Sequence, residues 1–111
     1  MNKIYNEAIK KIDLGETVIG YLECSILTFV YRREYRPGIM IATNKRLFFY
    51  SLILGIEYTD SFLYSDILSI EKKKGLLKET IIMRVNEDII KLSYIRSENI
   101  DEFLNIVKNK I

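Results

Sequence analysis

The chain has 111 residues, 49% of them hydrophobic and 29% charged, with a formal net charge of +2. That length supports one hydrophobic core and not two ordinary domains, and so small a net charge does not by itself imply nucleic acid or an anionic membrane as partner. There is no histidine and a single cysteine, Cys24, which removes the usual general base, the commonest metal ligand, every Ser-His or Cys-His pairing and any internal disulfide.

Ile4, Ala8 and Ile12, with Tyr5 and Ile9 beside them, recur at helical spacing until Asp13-Leu14-Gly15-Glu16 stops the pattern, so a short N-terminal helix is expected. The first residues include Glu7 and lack the uninterrupted apolar block of a secretory signal. The longest charge-free stretch, Leu47 to Ile56, is far short of the roughly 20 residues a membrane-crossing helix needs. A cytoplasmic location is the expectation. From Thr17 the composition turns β-branched and aromatic, and strands are expected over 17–30, 38–43, 46–53, 56–63, 67–73, 79–85 and 89–94. Cys24 lies in an apolar run, where a buried small hydrophobe is expected. Pro37 sits beside Gly38 and reads as loop.

Thr43-Asn44-Lys45-Arg46 is a polar break between two apolar runs, which reads as a hairpin with Asn44 best able to take positive φ. Lys45 and Arg46 read as turn and strand-edge residues. Later, Ile81, Met83 and Val85 share one face, and Ile90, Leu92 and Tyr94 another, across the Asn86-Glu87-Asp88 turn. Ser97 to Glu102 is rich in capping and acidic residues, so a closing amphipathic helix is expected, with Ile100, Phe103, Leu104, Val107 and Ile111 as its apolar stripe. Seven short strands and one such helix are satisfied by a mainly β fold: a strongly bent, partly open antiparallel barrel plugged by the helix. The chain then reads as one domain, with an N-terminal helical extension over 1–13, a barrel over 14–96 and a capping helix over 97–111.

That is a pleckstrin-homology (PH) architecture, and particular residues resemble the family. Gly15-Glu16 with Val18, Gly38, Thr43 to Phe49, and Tyr64-Ser65-Asp66-Ile67-Leu68-Ser69-Ile70 with Gly75 together resemble bacterial PH-like domains of the YokE-like kind, from about Leu14 to the end. These are turn formers and core positions, so the resemblance implies a fold and a binding module rather than a ligand. Related PH and GRAM domains bind phosphoinositides, peptides or protein partners. The first long strand lacks the lysine and arginine pattern of eukaryotic lipid-binding PH domains.

No catalytic or metal-ligating constellation is legible and no cofactor is implied. Glu87-Asp88 and Asp101-Glu102 read as a turn and a helix start, and none of Gly20, Gly55 and Gly75 opens a helix as a phosphate loop would. Binding candidates are three. Tyr31, Arg32, Arg33, Tyr35 and Arg36 interleave tyrosine with arginine between the first two strands, where the resemblance implies a lipid-binding loop. If each arginine gains about 1 kcal/mol near an anionic membrane, the loop supplies roughly 3, weaker than about millimolar. Lys72, Lys73, Lys74 and Lys78 form a second basic cluster around Gly75. The alternative for both is a solvated loop. The third candidate is self-association or scaffolding through Ile53, Leu54 and Ile56 around an apolar turn, against simple burial in the core. Glu34, Glu71 and Glu79 interrupt the basic runs, which argues against single-stranded nucleic acid. The expected partner is an unknown protein, a second copy of the chain, or peripherally an anionic membrane.

Overall fold

The protein is described by a computed structural model over residues 3–28, 35–76 and 78–111. A short helix, α1 (Lys3–Ile9), precedes seven strands: β1 (Val18–Thr28), β2 (Tyr35–Thr43), β3 (Arg46–Ile53), β4 (Ile56–Leu63), β5 (Ile67–Lys74), β6 (Glu79–Val85) and β7 (Asp88–Ser93). A 3-10 turn at Tyr64–Asp66 joins β4 to β5, and α2 (Ile100–Lys108) closes the chain. All seven strands form one antiparallel sheet in the order β4-β3-β2-β1-β7-β6-β5. The sheet is not closed: β4 and β5 are its free edges.

Strand β1 is the hinge of the sheet. Along its length it pairs with β2, but only Ser25 to Thr28 pair with β7, so the N-terminal half of β1 presents an edge that must be satisfied otherwise. The linker between β7 and α2 does this. Arg96 N–H donates to Glu23 O, Ser97 Oγ accepts Glu23 N–H, and Asn99 Nδ2 donates to Tyr21 O. Ser97 and Asn99, which read as helix-capping residues, are spent on that edge instead, and Asn99 makes no side-chain cap. Helix α2 then buries Phe103, Leu104 and Val107 against the concave face, in a core with Leu22, Ile26, Met40, Phe49, Ile70, Ile81, Met83 and Leu92.

A second core lies on the opposite face. Ile39, Ile41, Phe48 and Tyr50 point away from the main core, by strand alternation, and are covered by Ala8 together with Ile4, Tyr5, Ile9 and Ile12. Strands β2 and β3 are thus buried on both sides. Glu57 pins this arrangement: its carboxylate accepts from Tyr50 OH and pairs with Lys11 Nζ at 3.1 Å. Burial, then Glu57, pushes the Tyr50 phenol up to about 12.

The break at Thr43–Arg46 is a junction rather than a simple turn. Asn44 is not at positive φ; that conformation falls to Leu54, Asn86 and Tyr94 among the described non-glycines. Asn44 instead pairs with Thr17 in both directions, its Oδ1 accepting Thr17 N–H and its N–H donating to Thr17 O. Thr43 Oγ1 accepts the N–H groups of Lys45 and Arg46 and donates to Glu16 Oε2. Arg46 donates through Nε and Nη2 to the two Glu16 oxygens at 3.0 and 2.8 Å, and through Nη1 to Ser61 Oγ on β4. The Glu16 side chain is only 1% exposed. The Arg46 hydrogen bonds hold its carboxyl down at about 2 against the opposing effect of burial.

One further difference from the sequence reading has a simple cause. Pro37 lies within β2, opposite Ser25, not in a loop. The β2–β3 ladder covers only Ile39 to Ala42, so no ladder bond toward β3 is demanded of its missing N–H, and its carbonyl accepts Ser51 Oγ. Gly38 beside it is irreplaceable: a Cβ there would sit 2.1 Å from Tyr50 O and 2.9 Å from Phe49 Cζ.

Candidate functional site

Tyr94 was expected to continue the face of Ile90 and Leu92. Both of those are buried, but β7 ends at Ser93 and Tyr94 takes φ +52, so the alternation breaks and its ring stands on the surface, 53% exposed. A bulky residue in the left-handed region costs of order 1 kcal/mol or more and persists only where its surroundings impose it. Those surroundings are a cation and a ring. Lys78 Nζ lies 3.8 Å from the Tyr94 centroid, and Tyr35 meets the same ring edge-on, 5.4 Å away at 82°.

Tyr94 also separates two cavities. One, of about 580 Å³, is lined by Lys74, Gly75, Lys78, Glu79, Ile95 and Ile100 as well as Tyr94. It exists because Gly75 N–H bonds Lys78 O, curling the β5–β6 connection so that lysines on either side of it face one space. The other, of about 380 Å³, runs over the outer face of β1 and β2 between α1 and the post-β7 linker, with Lys3, Glu7, Glu23, Leu52 and Arg96 among its walls.

The structure therefore redistributes the expected site residues. Tyr31, Arg32 and Arg33 lie outside the described residues. Tyr35 joins the Tyr94 shelf, whereas Arg36, its neighbour on the strand, points to the opposite face, where it stacks on the Tyr58 ring at 4.9 Å and pairs loosely with Asp60 at 3.8 Å. Of the lysines, Lys72 is taken up by Asp101 (2.8 Å) and Glu79 (3.3 Å), and the Asp101 hydrogen bond leads the upward shift of its pKa. Lys73 is exposed on the β5 edge. Lys74 and Lys78 line the larger cavity. Leu54 and Ile56 are exposed, 97% and 56%, at a β3–β4 turn in which Leu54 and Gly55 both have positive φ, while Ile53 is half-buried. Sequence reasoning missed Tyr94 and Arg96 as surface features, because only the turn after β7 exposes them. The one available signal was the Tyr94-Ile95-Arg96-Ser97 break in strand pattern.

Cys24 is buried, and desolvation pushes its thiol up to about 12, which leaves it neutral and a poor nucleophile. Among the described residues no three His, Cys, Asp or Glu side chains gather as a metal site, and no helix is long and apolar enough to cross a membrane. Chemically, the cavity offers two ammonium groups, the Tyr94 ring backed by Tyr35, and the Glu79 carboxylate that already holds Lys72, a set that suits an anion with an apolar or planar portion.

Comparison with known proteins agrees with the topology. Residues 8–109 match the model of a family described as "Bacterial PH domain". Among solved structures, the Vps36 N-terminal PH domain superposes with a TM-score of 0.68 at 14% identity, covering 89% of this chain and 81% of its own. The C-terminal domain of an unknown protein from Leishmania infantum superposes with a TM-score of 0.67 at 19% identity, covering 97% and 91%. At such identities the likeness shows the fold alone. No curated protein matches the chain.

Proposed function

The chain belongs to the bacterial PH-domain family, whose fold generally serves as a binding module for lipids or proteins, and we propose that it is a non-enzymatic module that meets an anionic lipid surface through the Tyr94 shelf. The narrower likeness to YokE-like domains, a cytoplasmic location and peripheral membrane contact belong to the same reading. The observation that carries it is the convergence of Lys74 and Lys78 with Tyr94 on one cavity, while the neighbouring Lys72 is neutralised by Asp101 and Glu79. Lys74 and Lys78 form no ion pair among the described residues, which leaves them to a ligand even though Glu79 shares their cavity and Asp101 feels Lys74.

Magnitude limits the claim. Two lysines near an anionic surface supply about 2 kcal/mol, far short of a stable anchor, so insertion of the Tyr94 and Tyr35 rings or more than one copy per assembly must add to it. Co-sedimentation with phosphatidylserine and phosphatidylcholine vesicles at low and high salt is the test. Binding confined to the anionic vesicles, weakened by salt and lost in Lys74→Ala/Lys78→Ala is expected. Unchanged binding of that double variant would remove the shelf from the reading, and a wild type that ignores anionic vesicles would turn it toward protein partners.

A further inference from the structure

Strand β4 is a regular free edge whose only charges are the carboxylates Glu57 and Asp60. Its residues are almost all exposed, its ladder with β3 runs without a register shift from Arg46↔Leu63 to Ile53↔Ile56, and its sequence, Ile56-Glu57-Tyr58-Thr59-Asp60-Ser61-Phe62-Leu63, contains no proline and no lysine. Ile56, Tyr58 and Leu63 expose 56%, 36% and 54% of their surface. A long, regular, partly apolar edge of this kind is a template for another strand.

The sequence of the edge also selects the strand. When a two-fold axis extends a sheet, residues opposite one another share a face, so only pairings of even with even and odd with odd are allowed. Centring the axis on Asp60 sets two carboxylates against each other. Centring it on Tyr58 or Ser61 shortens the overlap. Centring it on Thr59 pairs Ile56 with Phe62, Glu57 with Ser61, Tyr58 with Asp60 and Thr59 with itself, and no like charges meet. Asp60 faces into the chain rather than toward the open edge. Its Oδ2 is buried without a hydrogen-bond partner, and Arg36 lies 3.8 Å away, beyond bonding distance. In the Thr59-centred register the second copy's Tyr58 comes opposite Asp60, an uncharged phenol against a carboxylate.

We propose that two copies of this chain join edge to edge through β4, antiparallel about Thr59, making one continuous sheet. Each assembly then carries two Tyr94 shelves, which multiplies weak contacts with a surface. The interface itself does not depend on any ligand of those shelves.

Molar mass by light scattering over a concentration series tests the proposal on the whole chain. The wild type is expected to reach twice the monomer mass, and Thr59→Lys, which sets two ammonium groups across the axis, to stay monomeric with an unchanged circular dichroism spectrum. Thr59→Cys tests the register: diamide should link it into a covalent dimer, whereas Ser61→Cys, several residues from its own copy across the axis, should not link. Buried Cys24 supplies no competing thiol. A wild type that is monomeric at the highest concentration, a Thr59→Lys dimer, or equal cross-linking at Thr59 and Ser61 would each overturn the proposal. Vesicle binding by the monomeric Thr59→Lys chain separates this failure from failure of the shelf.

Discussion

The sheet has two free edges, and they are built on opposite plans. Strand β5 carries Lys72, Lys73 and Lys74 in succession, shifts register between Ile67 and Ser69 against β6, and is tied through Lys72 to Asp101 of α2. Charge and a bulge at an edge are the ordinary means of refusing a further strand. Strand β4 has no bulge and no lysine, its charges being the carboxylates Glu57 and Asp60, and it is held in place by its ladder with β3 and by the Arg46 bond to Ser61. One sheet thus has lysines and a register shift at one end and neither at the other. The lesson is that the β5 lysines do not act alike: of Lys72, Lys73 and Lys74 only Lys74 lines the cavity, together with Lys78 from the β5–β6 connection.

The largest break in this comparison should come from Gly38→Ala. The added Cβ collides with the backbone oxygen of Tyr50, which cannot move without displacing β3 and, with it, the β4 edge. A loss of about 3 kcal/mol or more is expected, read as a fall in the denaturation midpoint, and a variant as stable as wild type would mean that β2 and β3 do not approach as described.

Acid should separate the two halves next. Glu16 titrates at about 2 in the folded chain against an ordinary 4.5. Its ionised form therefore stabilises the fold fully above about pH 4.5, and that contribution is lost as pH falls from there toward 2. The amount at stake is on the order of 3 kcal/mol at most. Because Glu16 holds Arg46 and Arg46 holds Ser61, the protection of amides in β3 and β4 against exchange, taken relative to the intrinsic rate at each pH, should fall on acidification before that in β6 and β7. Glu16→Gln should flatten this part of the stability curve, and a curve of unchanged shape would locate the acid sensitivity elsewhere.

The smallest effect on stability sharpens the contrast most. Lys73→Ile removes a charge from the exposed β5 edge and should change stability by less than about 0.5 kcal/mol. It should nevertheless raise the tendency to associate, seen as higher-order species beyond any pairing through β4. No new association would show that the bulge alone protects that edge.

Much of the fold was legible because it follows from local chemistry. Strand alternation in β6, the two apolar runs around Thr43–Arg46, and the stripe Phe103, Leu104 and Val107 each state which face must be buried, and the structure buries those faces. Pro37 misled because proline predicts loop only where its missing N–H would be needed, and the end of the β2–β3 ladder removes that need. Asn44 misled because its side chain had a better use with Thr17, a residue 27 positions away, than the positive φ its type favours.

The candidate site was legible only in part. Lys74 and Lys78 were recognisable as members of one basic cluster and Tyr35 as a member of another, far from them in the chain. Their meeting at Tyr94 depends on where β7 stops and how the linker docks on the open edge of β1. By itself the sequence determined the inventory, the periodicities and the absence of histidine chemistry, since these are properties of residues and of near neighbours. Which lysines are neutralised, which face Arg36 takes, and which edge is left without a strand were decided only by tertiary structure, because each depends on partners brought together by the whole sheet.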